Sequence, residues 1–156
     1  MRQQDDVRAF HEKYGFSIGE ELLPRSATHR DQIMLGGVTR RLREVSQDLM
    51  SCVRNAVDGK VDARIQRMQL MSEELSEMCE AMRDGDYEKL ADALGDLQYV
   101  VLGTAVTFGM PMDEIHDEVH ESNMSKDVDG QHKPKKGAAF TPPNFKEIVA
   151  RCNPRT

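Results

Sequence analysis

Residues 61–108, VDARIQRMQLMSEELSEMCEAMRDGDYEKLADALGDLQYVVLGTAVTF, decide how this chain folds. Ile65, Met68, Met71, Leu75, Met78 and Met82 fall at helical spacing, so the first half predicts one amphipathic helix from about Val61 to Arg83. Asp84-Gly85-Asp86 then supplies a stop and the cap of the next helix. From about Tyr87 to Phe108 the chain is apolar nearly all the way round, which predicts a helix at the centre of a bundle, ended by Gly109 and Pro111.

The flanks extend the pattern. Val7, Phe10 and Tyr14 mark a short amphipathic helix stopped by Gly15, and residues 16–30, with Gly19, Pro24 and Ser26, read as a loop. Val38, Leu42, Val45, Leu49, Val53 and Ala56 repeat at heptad-like spacing and predict a long helix over about 28–57, broken or begun at Gly36-Gly37 and closed near Gly59. A fifth helix starts at Pro111 and ends near Asn123. The tail from Lys126 to Thr156 holds four of the six prolines, and Lys126, Lys133, Lys135, Lys136 and Lys146 make it locally basic. No strand pattern, repeat or low-complexity tract is present. The expected fold is all-α, a bundle of about five helices with an extended C-terminal tail, in one domain of 156 residues.

Charge narrows the function. The net charge of −6 gives no field that attracts nucleic acid or an anionic membrane surface, so a polyanionic substrate needs metal ions or a local basic patch. Three cysteines, Cys52, Cys79 and Cys152, without CxxC spacing, read as reduced thiols. The start MRQQDDVRAFHEKYGF has no apolar core, and no run approaches the ~18 apolar residues of a membrane helix, so the expectation is a cytoplasmic protein.

Between Leu90 and Met112 the only charged side chains are Asp92 and Asp96, one helical turn apart on the apolar helix. Two buried carboxylates on one face cost several kcal/mol without cations or donors, and a divalent cation removes that cost. The bland reading is equally open: Asp92 faces solvent, and Asp96 accepts a hydrogen bond from a buried hydroxyl or arginine. On the preceding helix, Glu74 and Glu77 project about 100° and 160° from the apolar stripe, a second face that would meet Asp92 and Asp96 across a gap suited to Mg²⁺. Glu73 and Glu80 point nearer the back, where the bland reading is a solvated face.

At these residues the chain resembles a known family. Glu73-Glu74-Leu75-Ser76-Glu77 looks like the EExxE element of the MazG-like all-α nucleotide pyrophosphohydrolases, which a second motif, ExxD, follows after a helix break. Asp96 takes the final Asp of that motif, but its Glu position is Ala93, and Asp92 stands one residue earlier. Downstream, Glu118-Val119-His120-Glu121-Ser122-Asn123-Met124-Ser125-Lys126, then Asp129-Gly130, is similar to the last helix and tail of the branch related to dimeric dUTPases. The resemblance covers roughly Gln69 to Phe145, with a weaker echo at Val7 to Gly15. Residues from about 30 to 62 match nothing and read as a helical insertion.

The resemblance implies Mg²⁺-dependent hydrolysis of a (deoxy)nucleoside triphosphate between the α and β phosphates, with Mn²⁺ as a substitute, in a homodimer or homotetramer. It implies Glu74, Glu77 and Asp96 as metal ligands, to which the isolation of Asp92 in the apolar helix adds Asp92, with Glu73 and Glu77 as catalytic residues and Asn123 and Lys126 as substrate contacts. Lys133, Lys135 or Lys136 would assist at the phosphates, and Phe140 or Phe145 would cover the base or simply anchor the tail. The heptad stripes independently predict more apolar surface than one chain buries. Two rivals stand: a phosphoribosyl-ATP-type pyrophosphohydrolase, and a non-catalytic helical dimerisation or adaptor protein whose acidic face is merely solvated. His116 and His120, at i and i+4, offer a zinc pair or a solvated face, and HDEVH does not match HExxH.

Overall fold

The computed structural model describes residues 2–19, 28–56, 59–128 and 133–152. They form α1 (Arg2–Tyr14), α2 (His29–Arg54), α3 (Ala63–Asp84), α4 (Tyr87–Phe108), α5 (Met112–Met124), β1 (Asp127–Val128), β2 (Pro134–Lys135) and α6 (Lys146–Cys152). The architecture is all-α. Beyond the expected five helices, the tail folds a short sixth, and β1 pairs antiparallel with β2 in a two-residue ladder too brief to leave a period-two pattern. The expectations at Pro24, Ser26 and Asp129-Gly130 lie outside the described residues. Among the described residues, no helix is long and apolar enough to cross a membrane.

The chain groups into two compact units, Leu23–Thr107 and Met1–Leu22 with Phe108–Thr156. The first is built on α2, α3 and α4. Thr28 caps α2 by accepting from the Asp31 amide, and Gly36-Gly37 passes inside the helix without a break. Asp62 caps α3, its carboxylate taking the Arg64 amide at 2.8 Å and the Arg64 guanidinium as well, which holds its pKa at about 2. The α3 to α4 turn follows the Asp84-Gly85-Asp86 reading: Gly85 adopts the left-handed conformation (φ 66°), and Asp86 accepts from the Lys89 amide at 3.1 Å.

The long helices make antiparallel hairpins. Across α2 and α3, Arg43 pairs with Glu80, and Arg83 donates to the Thr39 hydroxyl at 3.3 Å. Across α3 and α4, Arg67 donates to the Val100 carbonyl at 2.8 Å and to the Thr104 hydroxyl at 3.1 Å, its guanidinium lying where a side chain at Gly103 would clash.

The apolar stripes are only half-buried by these hairpins. The buried residues are Thr39 and Ser46 on α2 and Gln69, Ser76 and Ala81 on α3, mostly small side chains that let helix backbones come close. Val38, Val45, Met68 and Met82 of the predicted stripes are exposed. The expectation that α4 is enclosed is corrected likewise. Leu90, Ala93, Val100 and Ala105 are buried, but Tyr99 is 79% and Val106 81% exposed.

The second unit packs α1 and α5 around Tyr14, which is 1% exposed. Phe10 lies against the Tyr14 ring at 4.6 Å, and Ile148 of α6 is buried in the same unit. Arg2 pairs with Asp117 at 2.7 Å, and His116 with Asp6 at 3.2 Å.

Candidate functional site

The acidic residues of α3 divide between two grooves. Glu73, Ser76, Glu77 and Glu80 lie one turn apart and line a hollow of about 230 Å³ against Arg43, Ser46 and Met50 of α2. Glu77 and Glu80 also line a second, of about 280 Å³, with Asp84, Lys89 and Asp92. Glu77 thus stands between the α2 side and the α4 side of α3, and it is exposed.

Glu74 is half-buried, and its pKa is raised. Burial is the larger cause, followed by the negative charges of Glu77, Asp96, Glu73 and Asp92. That set is the one the acidic motifs point to, so folding brings the other four carboxylates within electrostatic reach of Glu74. Among the described residues, no cation pairs with Glu74, Glu77, Asp92 or Asp96. Nor do three His, Cys, Asp or Glu side chains converge at the spacing of a metal shell. The donor chemistry therefore fits a hard, oxygen-seeking cation, while the side chains stand apart.

Two directions differ from the helical projection. Glu73 and Glu80 do not face solvent: both are half-buried toward α2, Glu73 accepting from the Gln69 amide at 2.7 Å and Glu80 pairing with Arg43. Asp92 and Asp96, expected on a buried face, are exposed. Arg43 is the residue that sequence reading missed. Three arginines, at 40, 41 and 43, interrupt the α2 stripe alike, and only the α2 to α3 register singles one out.

The second unit gathers a different set. Asn123 and Lys126, at the end of α5, line a hollow of about 190 Å³ with Val119, Lys136, Phe140 and Pro143. The Lys126 ammonium donates to the Asn123 side-chain oxygen at 2.7 Å, and the Tyr14 hydroxyl, beneath them, lies 2.6 Å from the Lys126 carbonyl and 3.0 Å from that of Asn123. Lys136 sits over the Phe140 ring at 5.0 Å. Lys133 and Lys135 are exposed outside this lining, and Phe145 is half-buried at the start of α6. His116 and His120 stack at 6.2 Å, and His116 is engaged by Asp6.

The carboxylate face on an all-α hairpin and the motif order resemble those of one class, the MazG-like all-α nucleotide pyrophosphohydrolase superfamily. Within it, residues 48–123 match the phosphoribosyl-ATP pyrophosphohydrolase family model, so the matched segment falls in this superfamily and supports a pyrophosphohydrolase activity. No curated protein and no solved structure matches the chain significantly. The match opens inside α2, so residues 48–62, set aside as matching nothing, are corrected to part of it; it ends at Asn123, before Lys126 and the tail.

Proposed function

We propose that the protein hydrolyses a (deoxy)nucleoside triphosphate at the α–β bond in the presence of Mg²⁺, releasing the monophosphate and pyrophosphate. The observation that carries this reading is the placement of a half-buried Glu74 within reach of Glu73, Glu77, Asp92 and Asp96, with no cation partner among the described residues. Glu74, Glu77 and Asp96, with Asp92 in place of the missing Glu at position 93, are the residues that would hold the metal. Mg²⁺, or Mn²⁺ in its place, would neutralise phosphate charge and acidify the attacking water.

The chain's own groups supply the rest. Glu73, oriented by Gln69 and half-buried, is suited to hold or take the proton of that water, with Glu77 beside it on the same face of α3. Asn123 and Lys126 bind the substrate, the lysine as a point charge on a phosphate oxygen. The free thiols suit a reducing compartment such as the cytoplasm.

A second reading has its own support. The matched family model favours phosphoribosyl-ATP as substrate over a deoxynucleotide. A panel of canonical and modified dNTPs and NTPs plus phosphoribosyl-ATP, with Mg²⁺, separates the two by the rate of pyrophosphate release. Pyrophosphate from none of them leaves the adaptor reading.

The exposed Leu94, Tyr99, Leu102 and Val106 of α4 support assembly as a homodimer or homotetramer, since an apolar face this continuous is rarely left to solvent. Tyr99→Arg is expected to shift sedimentation toward a smaller species. An unchanged profile counts against this face as the interface.

A further inference from the structure

The hollow between α5 and the tail has a chemistry that the acidic grooves lack. Its lining includes two lysines, an asparagine, an aromatic ring and the apolar Val119 and Pro143, with no carboxylate, in a chain of net charge −6. Two of these residues, Lys136 and Phe140, lie in the tail beyond the family match. At about 190 Å³ the hollow is below the ~300 Å³ of sites that enclose a whole drug-sized ligand, so it takes one end of a molecule.

The parts are held in place. The Tyr14 hydroxyl beneath the end of α5 fixes the backbone of Asn123 and Lys126, and their side chains bond each other. On the tail side, Ser125 accepts from the Thr141 amide at 2.9 Å, fastening the segment next to Phe140 to the end of α5. The Lys136 ammonium lies over one face of the Phe140 ring, so a planar ligand would pack on the other face with the cation still close by.

We propose that this hollow is a nucleotide-binding pocket in which Phe140 packs on the nucleobase and Lys136, with Lys126, takes the phosphate. An apolar ligand would waste the two ammonium groups, and a bare anion would not need the ring and apolar walls. The choice of a nucleotide as ligand rests on the function proposed above. Lys136 and Phe140 are thereby binding residues of the tail, which gives that segment a role beyond packing.

The test is titration of the full-length, ¹⁵N-labelled chain with deoxyadenosine and deoxycytidine monophosphates, the matching nucleosides, and inorganic phosphate. Resonances of Val119, Asn123 and Phe140 are expected to shift with the monophosphates, and Lys136→Gln and Phe140→Leu should each weaken binding about tenfold. Lys136 is exposed, so its variant carries the test if the Phe140 variant melts early. The inference is overturned if wild type binds none of the probes, if phosphate alone binds as well as the monophosphates, or if a folded Lys136→Gln variant binds as wild type does.

Pyrophosphate release measured on the same samples separates this inference from the activity. Nucleotide binding that depends on Lys136, without turnover of any triphosphate, keeps the pocket and sinks the hydrolase. Turnover whose KM ignores both variants keeps the hydrolase and sinks the pocket; loss read mainly in KM supports both.

Discussion

The carboxylates of α3 and α4 and the lysines of the α5 hollow are held in opposite ways. Glu77, Asp92 and Asp96 place their charges within reach of Glu74 with no cation partner among the described residues, and burial adds to the strain on Glu74. Lys126 and Lys136 are each engaged, one by the Asn123 amide oxygen and one by the Phe140 ring. An arrangement that raises its own electrostatic energy without a ligand stores affinity for a cation, whereas one that satisfies its charges locally stores shape. The first is therefore expected to respond to metal, and the second to organic ligands.

The largest effect should come from breaking the acidic side. Glu77→Gln is expected to lower pyrophosphate release by roughly 10³-fold, the several kcal/mol that metal-assisted charge stabilisation supplies. Full activity in this variant removes Glu77 from the site. Asp92→Asn sharpens the assignment where the motif departs: a fall comparable to that of Asp96→Asn makes Asp92 a ligand, and a fall below about tenfold makes it a solvated neighbour.

Metal should next distinguish the two regions in the melting curve. At Mg²⁺ one hundred times its Kd, binding to the folded state adds about 2.7 kcal/mol, which appears as a rise of several degrees in Tm. A Glu74→Gln, Glu77→Gln double variant should lose that rise, and a wild type indifferent to Mg²⁺ would favour the adaptor reading.

On the basic side, Tyr14→Phe removes the hydroxyl beneath Asn123 and Lys126 and leaves two carbonyls without that donor. A loss of about 1–2 kcal/mol in denaturant unfolding is expected. An unchanged midpoint would mean that water replaces the hydroxyl and that the hollow is not fixed from below.

The smallest effect tests the strain itself. The folded pKa of Glu74 lies above its unfolded value of 4.5, so the folded state binds more protons in the interval above pH 4.5, and this group's contribution falls as pH rises through that interval. Without metal, Glu74→Gln should therefore raise Tm at pH 7 by about 1–2 °C, the gain disappearing below pH 4.5. Mg²⁺ affinity of the wild type should climb with pH over the same interval. A destabilised Glu74→Gln variant contradicts the repulsion.

Much of the site was legible because motif and local geometry coincide. EExxE at 73–77 and Asp92 and Asp96 sit at helical spacings that any α-helix imposes, so their mutual approach needed only the hairpin turn at Gly85. Arg43 was not legible, since nothing local separates it from Arg40 and Arg41. Phe140 and Phe145 were equal candidates until the fold placed one in the α5 hollow and the other at the start of α6.

By itself the sequence determined the helices: their stripes, their caps at Thr28, Asp62 and Asp86, and their stops, because these depend on neighbours within a few residues. It also determined which carboxylates share a helix face. Only the tertiary structure decided which faces are covered. The α2–α3 hairpin closes on Thr39, Ser46, Ser76 and Ala81, while Met68, Met82, Tyr99 and Val106 stay outward, because close backbone approach favours small side chains over a continuous apolar edge.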